Sequence, residues 1–110
     1  MNISNLALNF DRFEQYNFEN FAAEDILFFE LMVFRANFYK WREFSQSERE
    51  ILRAVGVRRT KLESIRKKFI ELGFITCGQR LETRGNHRSY VTTYIVDRDV
   101  IRANHRLLYK

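Results

Sequence analysis

Apolar residues return at helical spacing through several stretches of this chain and at every second position through two more. The densest stretch, from about Ala22 to Trp41, puts Ile26, Leu27, Phe29, Phe34 and Phe38 on one broad face. Phe28, Leu31, Met32 and Val33 widen that face until little polar surface remains. A helix that is apolar on most sides is buried on most sides, so this segment is predicted as a central core helix, or as one covered by the aromatic N-terminal arm or by a partner chain. Asn20 is its expected cap, with Glu24 and Asp25 in the first turn, where carboxylates oppose the positive end of the helix dipole. Trp41 and Phe44 close the segment, and Phe44-Ser45 is expected as a short strand. Ser47 with Glu50 has the spacing of a capping box, and Ser45 or Ser47 can cap a second helix that runs to about Ala54. It buries Ile51, Leu52 and Val55 and stops at Gly56, which lacks the side chain that disfavours a left-handed turn. A third helix is expected over about Arg59 to Leu72. At about 100° per residue, Leu62, Ile65, Phe69 and Leu72 fall on one side of it.

The alternating stretches begin at Phe74-Ile75, directly after Gly73. A hairpin centred on Gly85-Asn86, a pair suited to a tight two-residue turn, sets Arg84 opposite His87, Leu81 opposite Tyr90 and Cys77 opposite Tyr94. In that register one face collects Ile75, Cys77, Leu81, Tyr90, Tyr94 and Val96, and the other collects Thr76, Arg80, Glu82, Ser89 and Thr93. Val91 and Ile95 are exceptions to the sorting. Beyond Asp97, the expected cap, one last helix is predicted with Val100, Ile101, Leu107 and Leu108 on one side and a ridge of Arg98, Arg102, Arg106 and Lys110 on another. At the other end, Phe10, Phe13, Tyr16, Phe18 and Phe21 place an aromatic side chain every two or three positions, too many for a disordered tail. That segment should cover an apolar surface, either its own core or a second subunit. The predicted class is α+β, mostly α, divided as an N-terminal extension (1–21), a central domain (22–96) and a C-terminal helix (97–110).

Composition narrows the functional classes. A chain of 110 residues, 45% apolar and without proline, holds enough apolar mass for one core and not for two. Cys77 is the sole cysteine, so no disulfide forms within the chain, and with two histidines it makes no metal-ligand spacing. No secretory signal and no membrane-spanning run is recognisable, so a cytoplasmic protein without membrane contact is expected. Catalysis is not expected, because His87 and His105 lack a convincing acidic or thiol partner and Cys77 reads as a small apolar residue on the inner face of the hairpin. Glu24 and Asp25 are explained by the helix dipole. No cofactor is implied.

Charge is more informative. The net charge of +5 divides into −4 over residues 1–52 and +9 over residues 53–110. Lys and Arg on a rigid element lower the free energy of a polyanion by releasing its condensed counterions, which directs attention to the third helix. Opposite its apolar stripe stand Thr60, Glu63, Ser64, Lys67 and Glu71, flanked by Arg59, Lys61, Arg66 and Lys68. Flanking cations can reach phosphates on both walls of a major groove while central polar groups meet base edges. Arg59, Thr60, Ser64 and Lys67 are therefore the expected groove-facing residues, with Lys61 and Lys68 on phosphate and Arg58 at the start of the helix beside them. Arg84, His87 and Arg88 at the hairpin tip suit a minor groove or an adjacent phosphate.

A short helix, a glycine-containing turn, a longer basic helix and a hairpin, with Phe69-Ile70-Glu71-Leu72-Gly73-Phe74-Ile75 at the junction, resemble the winged helix-turn-helix family over roughly residues 22 to 96. Within it, the aromatic first helix and Trp41-Arg42-Glu43-Phe44-Ser45 are similar to the N-terminal domains of DnaD-like primosomal proteins and of phage or plasmid replication proteins. The likeness to MarR-like regulators is looser. Arg58 stands where the family usually has a serine cap. The resemblance implies a module that binds double-stranded DNA in replication initiation or transcription regulation. The alternative is a winged-helix module whose partner is a protein. A homodimer, if one forms, is expected to use the aromatic N-terminal segment or the C-terminal helix.

Overall fold

The computed structural model describes residues 14–110. Phe10 and Phe13 of the aromatic N-terminal segment lie outside the described residues. The fold is α+β: helices α1 (Ala23–Phe38), α2 (Glu48–Val55) and α3 (Arg59–Glu71) surround one face of a sheet formed by β1 (Phe44–Ser45), β2 (Ile75–Arg84) and β3 (His87–Val96), and two short helices, α4 (Arg98–Ala103) and α5 (His105–Leu108), close the chain. The sheet is antiparallel with order β1-β3-β2.

Helix α1 forms from a run free of glycine and proline and buries Ile26, Phe28, Phe29, Leu31, Met32 and Ala36. Its start differs from the sequence expectation. Ala22 occupies the cap position and its amide donates to the Asp25 carboxylate at 2.9 Å, while Asn20 turns away to donate to the Leu107 carbonyl at 3.1 Å. Its end comes earlier than Trp41, because Lys40 and Trp41 adopt left-handed φ of 57° and 64° and reverse the chain. Such a conformation costs a non-glycine residue on the order of 1–2 kcal/mol. The reversal is held by the Trp41 amide bonding the Ala36 carbonyl at 2.6 Å and by the Arg98 guanidinium 4.7 Å above the Trp41 ring. One consequence is that Phe38, expected on the buried face, is 69% exposed.

Helix α2 starts as its sequence dictates, with the Ser47 hydroxyl accepting from the Glu50 amide, and Gly56 ends it at φ 77°. Glu50 does not return to the cap as a full capping box would. Its carboxylate accepts from Gln46 and lies 4.0 Å from Arg35. After a three-residue turn, α3 lays Leu62, Ile65 and Phe69 into the core. Phe69 is the hub. Its ring lies 5.6–6.0 Å from those of Phe21, Phe28, Phe29 and Phe74, joining the N-terminal segment, α1, α3 and the start of β2 in one aromatic cluster. The Tyr16 hydroxyl donates to the buried Glu30 carboxylate inside α1.

The hairpin register follows the pairing read from the sequence, with Arg84 opposite His87, Leu81 opposite Tyr90 and Cys77 opposite Tyr94. Gly85 supplies the positive φ of the turn at 61°. Thr93, expected on the polar face, is buried, because β3 is the central strand and Ser45 of β1 pairs with it on the side away from β2. The expected single C-terminal helix is two. Asn104 interrupts it, its side-chain amide donating to the Val100 carbonyl at 2.7 Å. Asp97 caps α4 through the amides of Asp99 and Val100. Tyr109 then pairs with Tyr16 in an isolated bridge, and the Lys110 amide bonds the Gln15 carbonyl at 2.9 Å. Tyr16, Phe21 and Leu108 thus join the same buried cluster as residues 22–96.

Candidate nucleic-acid interface

The outward side of α3 is built by the same periodicity that buries its inward side. With Leu62, Ile65 and Phe69 no more than 2% exposed, Arg59, Thr60, Lys61, Glu63, Ser64 and Lys67 are left exposed along the opposite side, and Arg58 precedes them as an extended, exposed cap residue without a side-chain cap bond. A helix of this length presents its side chains over roughly 20 Å. Thr60, Ser64 and Lys67 are spaced at four and three residues and share one surface row.

The cations of this face differ in how firmly they are held. Lys67 is 76% exposed and lies 3.9 Å from Glu71 one turn on. Arg59 is 71% exposed and reaches the Glu48 carboxylate of α2 at 3.3 Å. Lys61 lies 3.6 Å from Glu24. Exposed pairs of this kind are worth about 0–1 kcal/mol and are screened by salt, so an incoming phosphate can exchange for the carboxylate. Lys68 is different. Its ammonium bonds the Asn20 carbonyl at 2.7 Å and Asp25 at 3.1 Å and stands 4.6 Å from the centre of the Phe21 ring. Those three contacts fasten α3 to the first turn of α1 and to the segment ahead of it, so Lys68 serves the packing of this helix more than its outer surface.

Arg66, read as a flanking cation, turns inward. It bonds Glu48 at 3.3 Å and lies 5.9 Å from the centre of the Tyr94 ring, joining α2, α3 and β3. Burial pushes the Tyr94 hydroxyl above the usual tyrosine range, and the Arg66 guanidinium opposes that rise. Burial raises the Cys77 thiol in the same way, again against the pull of Arg66. Glu48, which the charge pattern alone does not single out, holds both Arg59 and Arg66 and so fixes the angle between α2 and α3. Its position in the first turn of a helix, followed by two arginines of the next, is the only trace of this role in the sequence.

At the far end of the hairpin, Arg84, His87 and Arg88 are exposed around Gly85. Arg84 and Arg88 have no ion pair among the described residues. The basic ridge expected on the C-terminal helix is not continuous: Arg98 covers Trp41, Arg102 lies 3.9 Å from Asp99, and the break at Asn104 separates both from Arg106. Among the described residues, no group of histidine, cysteine and acidic side chains is arranged to hold a metal ion, and no helix is long and apolar enough to cross a membrane.

No model of a known protein family matches the sequence, and no curated protein matches it either.

Proposed function

We propose that this chain is a winged helix-turn-helix module that binds double-stranded DNA, with α3 in the major groove and the tip of the β2–β3 hairpin, the wing, on the minor groove or backbone. The observation that carries the reading is the exposed row of Arg59, Thr60, Ser64 and Lys67 on the face of α3 opposite its buried stripe, backed by Arg58 and Lys61. Arg84, His87 and Arg88 add a second basic site on a separate element, as a two-point grip on a duplex requires. Replication initiation or transcription regulation is the setting in which such a module acts.

Salt dependence tests the proposal. With about five phosphates neutralised, the logarithm of affinity for a blunt duplex falls with the logarithm of salt at a slope near −4.5, on the order of several hundred-fold between 50 and 200 mM. Arg59→Ala with Lys67→Ala removes most of the binding and lowers the slope by about 0.9 for each phosphate no longer neutralised, while the thermal midpoint stays in place. An affinity that does not change with salt overturns the reading in favour of a protein-binding module.

A further inference from the structure

On the side of the hairpin facing α2, the sheet ends before the hairpin does. Strand β1 pairs only with Tyr94 and Thr93, and the last bond across that seam runs from the Gln46 amide to the Thr92 carbonyl at 3.4 Å. Beyond it opens a groove of about 600 Å³ walled by Tyr39, Gln46, Ser47, Glu48, Arg84 and Tyr90, within the range of about 300–1,000 Å³ typical of ligand clefts. Two of these walls are unusually exposed aromatic rings, Tyr90 at 69% and Tyr39 at 43%. Tyr39 is stacked on Phe44 with ring centres 5.9 Å apart and has Phe38 edge-on at 5.1 Å, so Tyr90 is the barer of the two rings. Bare rings of this size cost free energy in water, which makes a cluster of them beside a cleft a mark of contact.

Charge identifies the occupant. Each carboxylate at the groove already has a cation of its own: Glu48 has Arg59 and Arg66, Glu50 lies 4.0 Å from Arg35, and Glu82 lies 3.1 Å from Arg80. Arg84 on the rim is exposed and has none among the described residues. The Gln46 side chain and the Ser47 hydroxyl are already bonded to Glu50, so what the groove leaves available is the Tyr90 ring, the open part of the Tyr39 ring and the Arg84 guanidinium. Every nucleobase has a face that stacks on such rings, and the adjoining phosphate finds the guanidinium, a combination that binds single strands with little sequence preference. Through Glu48 the groove adjoins Arg59 at the start of α3.

We infer that this groove receives unpaired nucleotides, so that the ligand of the module is a duplex carrying a single-stranded branch, held with its paired part on α3 and its unpaired strand across Tyr90 and Tyr39. The inference rests on the duplex-binding reading above. The experiment compares, by fluorescence anisotropy, a blunt duplex with the same duplex bearing oligothymidine arms. The forked DNA binds about ten-fold more tightly, the worth of one or two stacked bases. Tyr90→Ala and Tyr39→Ala each remove most of that excess and leave the blunt-duplex affinity unchanged; Tyr90→Phe, which keeps the ring, retains it. Tyr90 is exposed enough for its removal to leave the melting temperature in place, so loss of the excess in that variant is not a folding defect. Equal affinity for blunt and forked DNA overturns the inference while the duplex reading stands. A Tyr90→Ala variant that weakens both DNAs alike also overturns it, since Tyr90 would then be touching the duplex. If neither DNA binds, both readings fall and the free edge of β3 is left to an extended peptide.

Discussion

The root and the tip of the β2–β3 hairpin are made of the same two strands in the same register, yet they belong to different environments. At the root, Ile75, Tyr94 and Val96 are at most 3% exposed and Cys77 is half-buried. Further out on the same face, Leu81 is 46% and Tyr90 69% exposed. Alternation specifies which way a strand residue points and not whether anything lies there to cover it. Helices α1 and α3 cover the root and end short of the tip. What is core chemistry at one end of a strand pair therefore becomes surface chemistry at the other, and the aromatic groove is a product of that overhang.

The largest effect expected to separate the two ends is on stability. Tyr94→Ala removes a ring packed on Phe44 and beneath Arg66 and lowers the free energy of unfolding by about 3–5 kcal/mol, whereas Tyr90→Ala changes it by about 0.5 kcal/mol or less. Urea unfolding of the two variants measures both, and similar losses would show that the tip is covered after all.

Alkaline pH gives a second contrast. Burial, aided for Tyr16 by the Glu30 carboxylate, raises the hydroxyls of Tyr16 and Tyr94 above the range of an unfolded chain, whose tyrosines titrate near 10. The sign follows: the folded state resists losing these protons, so the stability involved is complete below about pH 10 and is lost as pH rises beyond it. The urea midpoint should hold steady up to that point and then fall. Tyr16→Phe combined with Tyr94→Phe should flatten the fall.

Backbone substitutions give a smaller contrast. Gly56 and Gly85 both have positive φ, and a methyl group at either would meet nothing within 4 Å, so alanine tests conformation alone. At Gly56, which sets the angle between two packed helices, Gly56→Ala should cost about 1–2 kcal/mol. Gly85→Ala frays a turn that carries no core and should cost measurably less in global unfolding. Smallest of all is the thiol at the root: the half-buried, raised Cys77 should react slowly with alkylating reagents in the native protein and rapidly in urea. Equal rates in the two conditions would mean that the root opens freely.

Much of this was legible in the residues. The strand pairing followed from Gly85-Asn86 because a two-residue turn leaves one register that sorts apolar from polar. The stripe of Leu62, Ile65 and Phe69 followed from helical spacing, and with it the exposed row that carries the candidate site. The ends of α1 and the break at Asn104 did not follow, because they depend on which distant group is available: Arg98 for the reversed Trp41, and the Val100 carbonyl for the Asn104 side chain. Lys68 and Arg66 read as flanking cations since their spacing resembles that of Lys61; only the positions of Asp25 and Glu48, 43 and 18 residues away, turn them inward.

The sequence by itself determined the order of elements as far as Val96, the hairpin register and the buried stripe of α3, because these rest on periods of two and 3.6 residues and on local turn chemistry. Tertiary structure alone decided which cations are held within the fold, how far the helices cover the hairpin, and that Tyr39 and Tyr90 face one groove. Those outcomes depend on contacts between residues far apart in the chain, and no local pattern encodes where the cover ends.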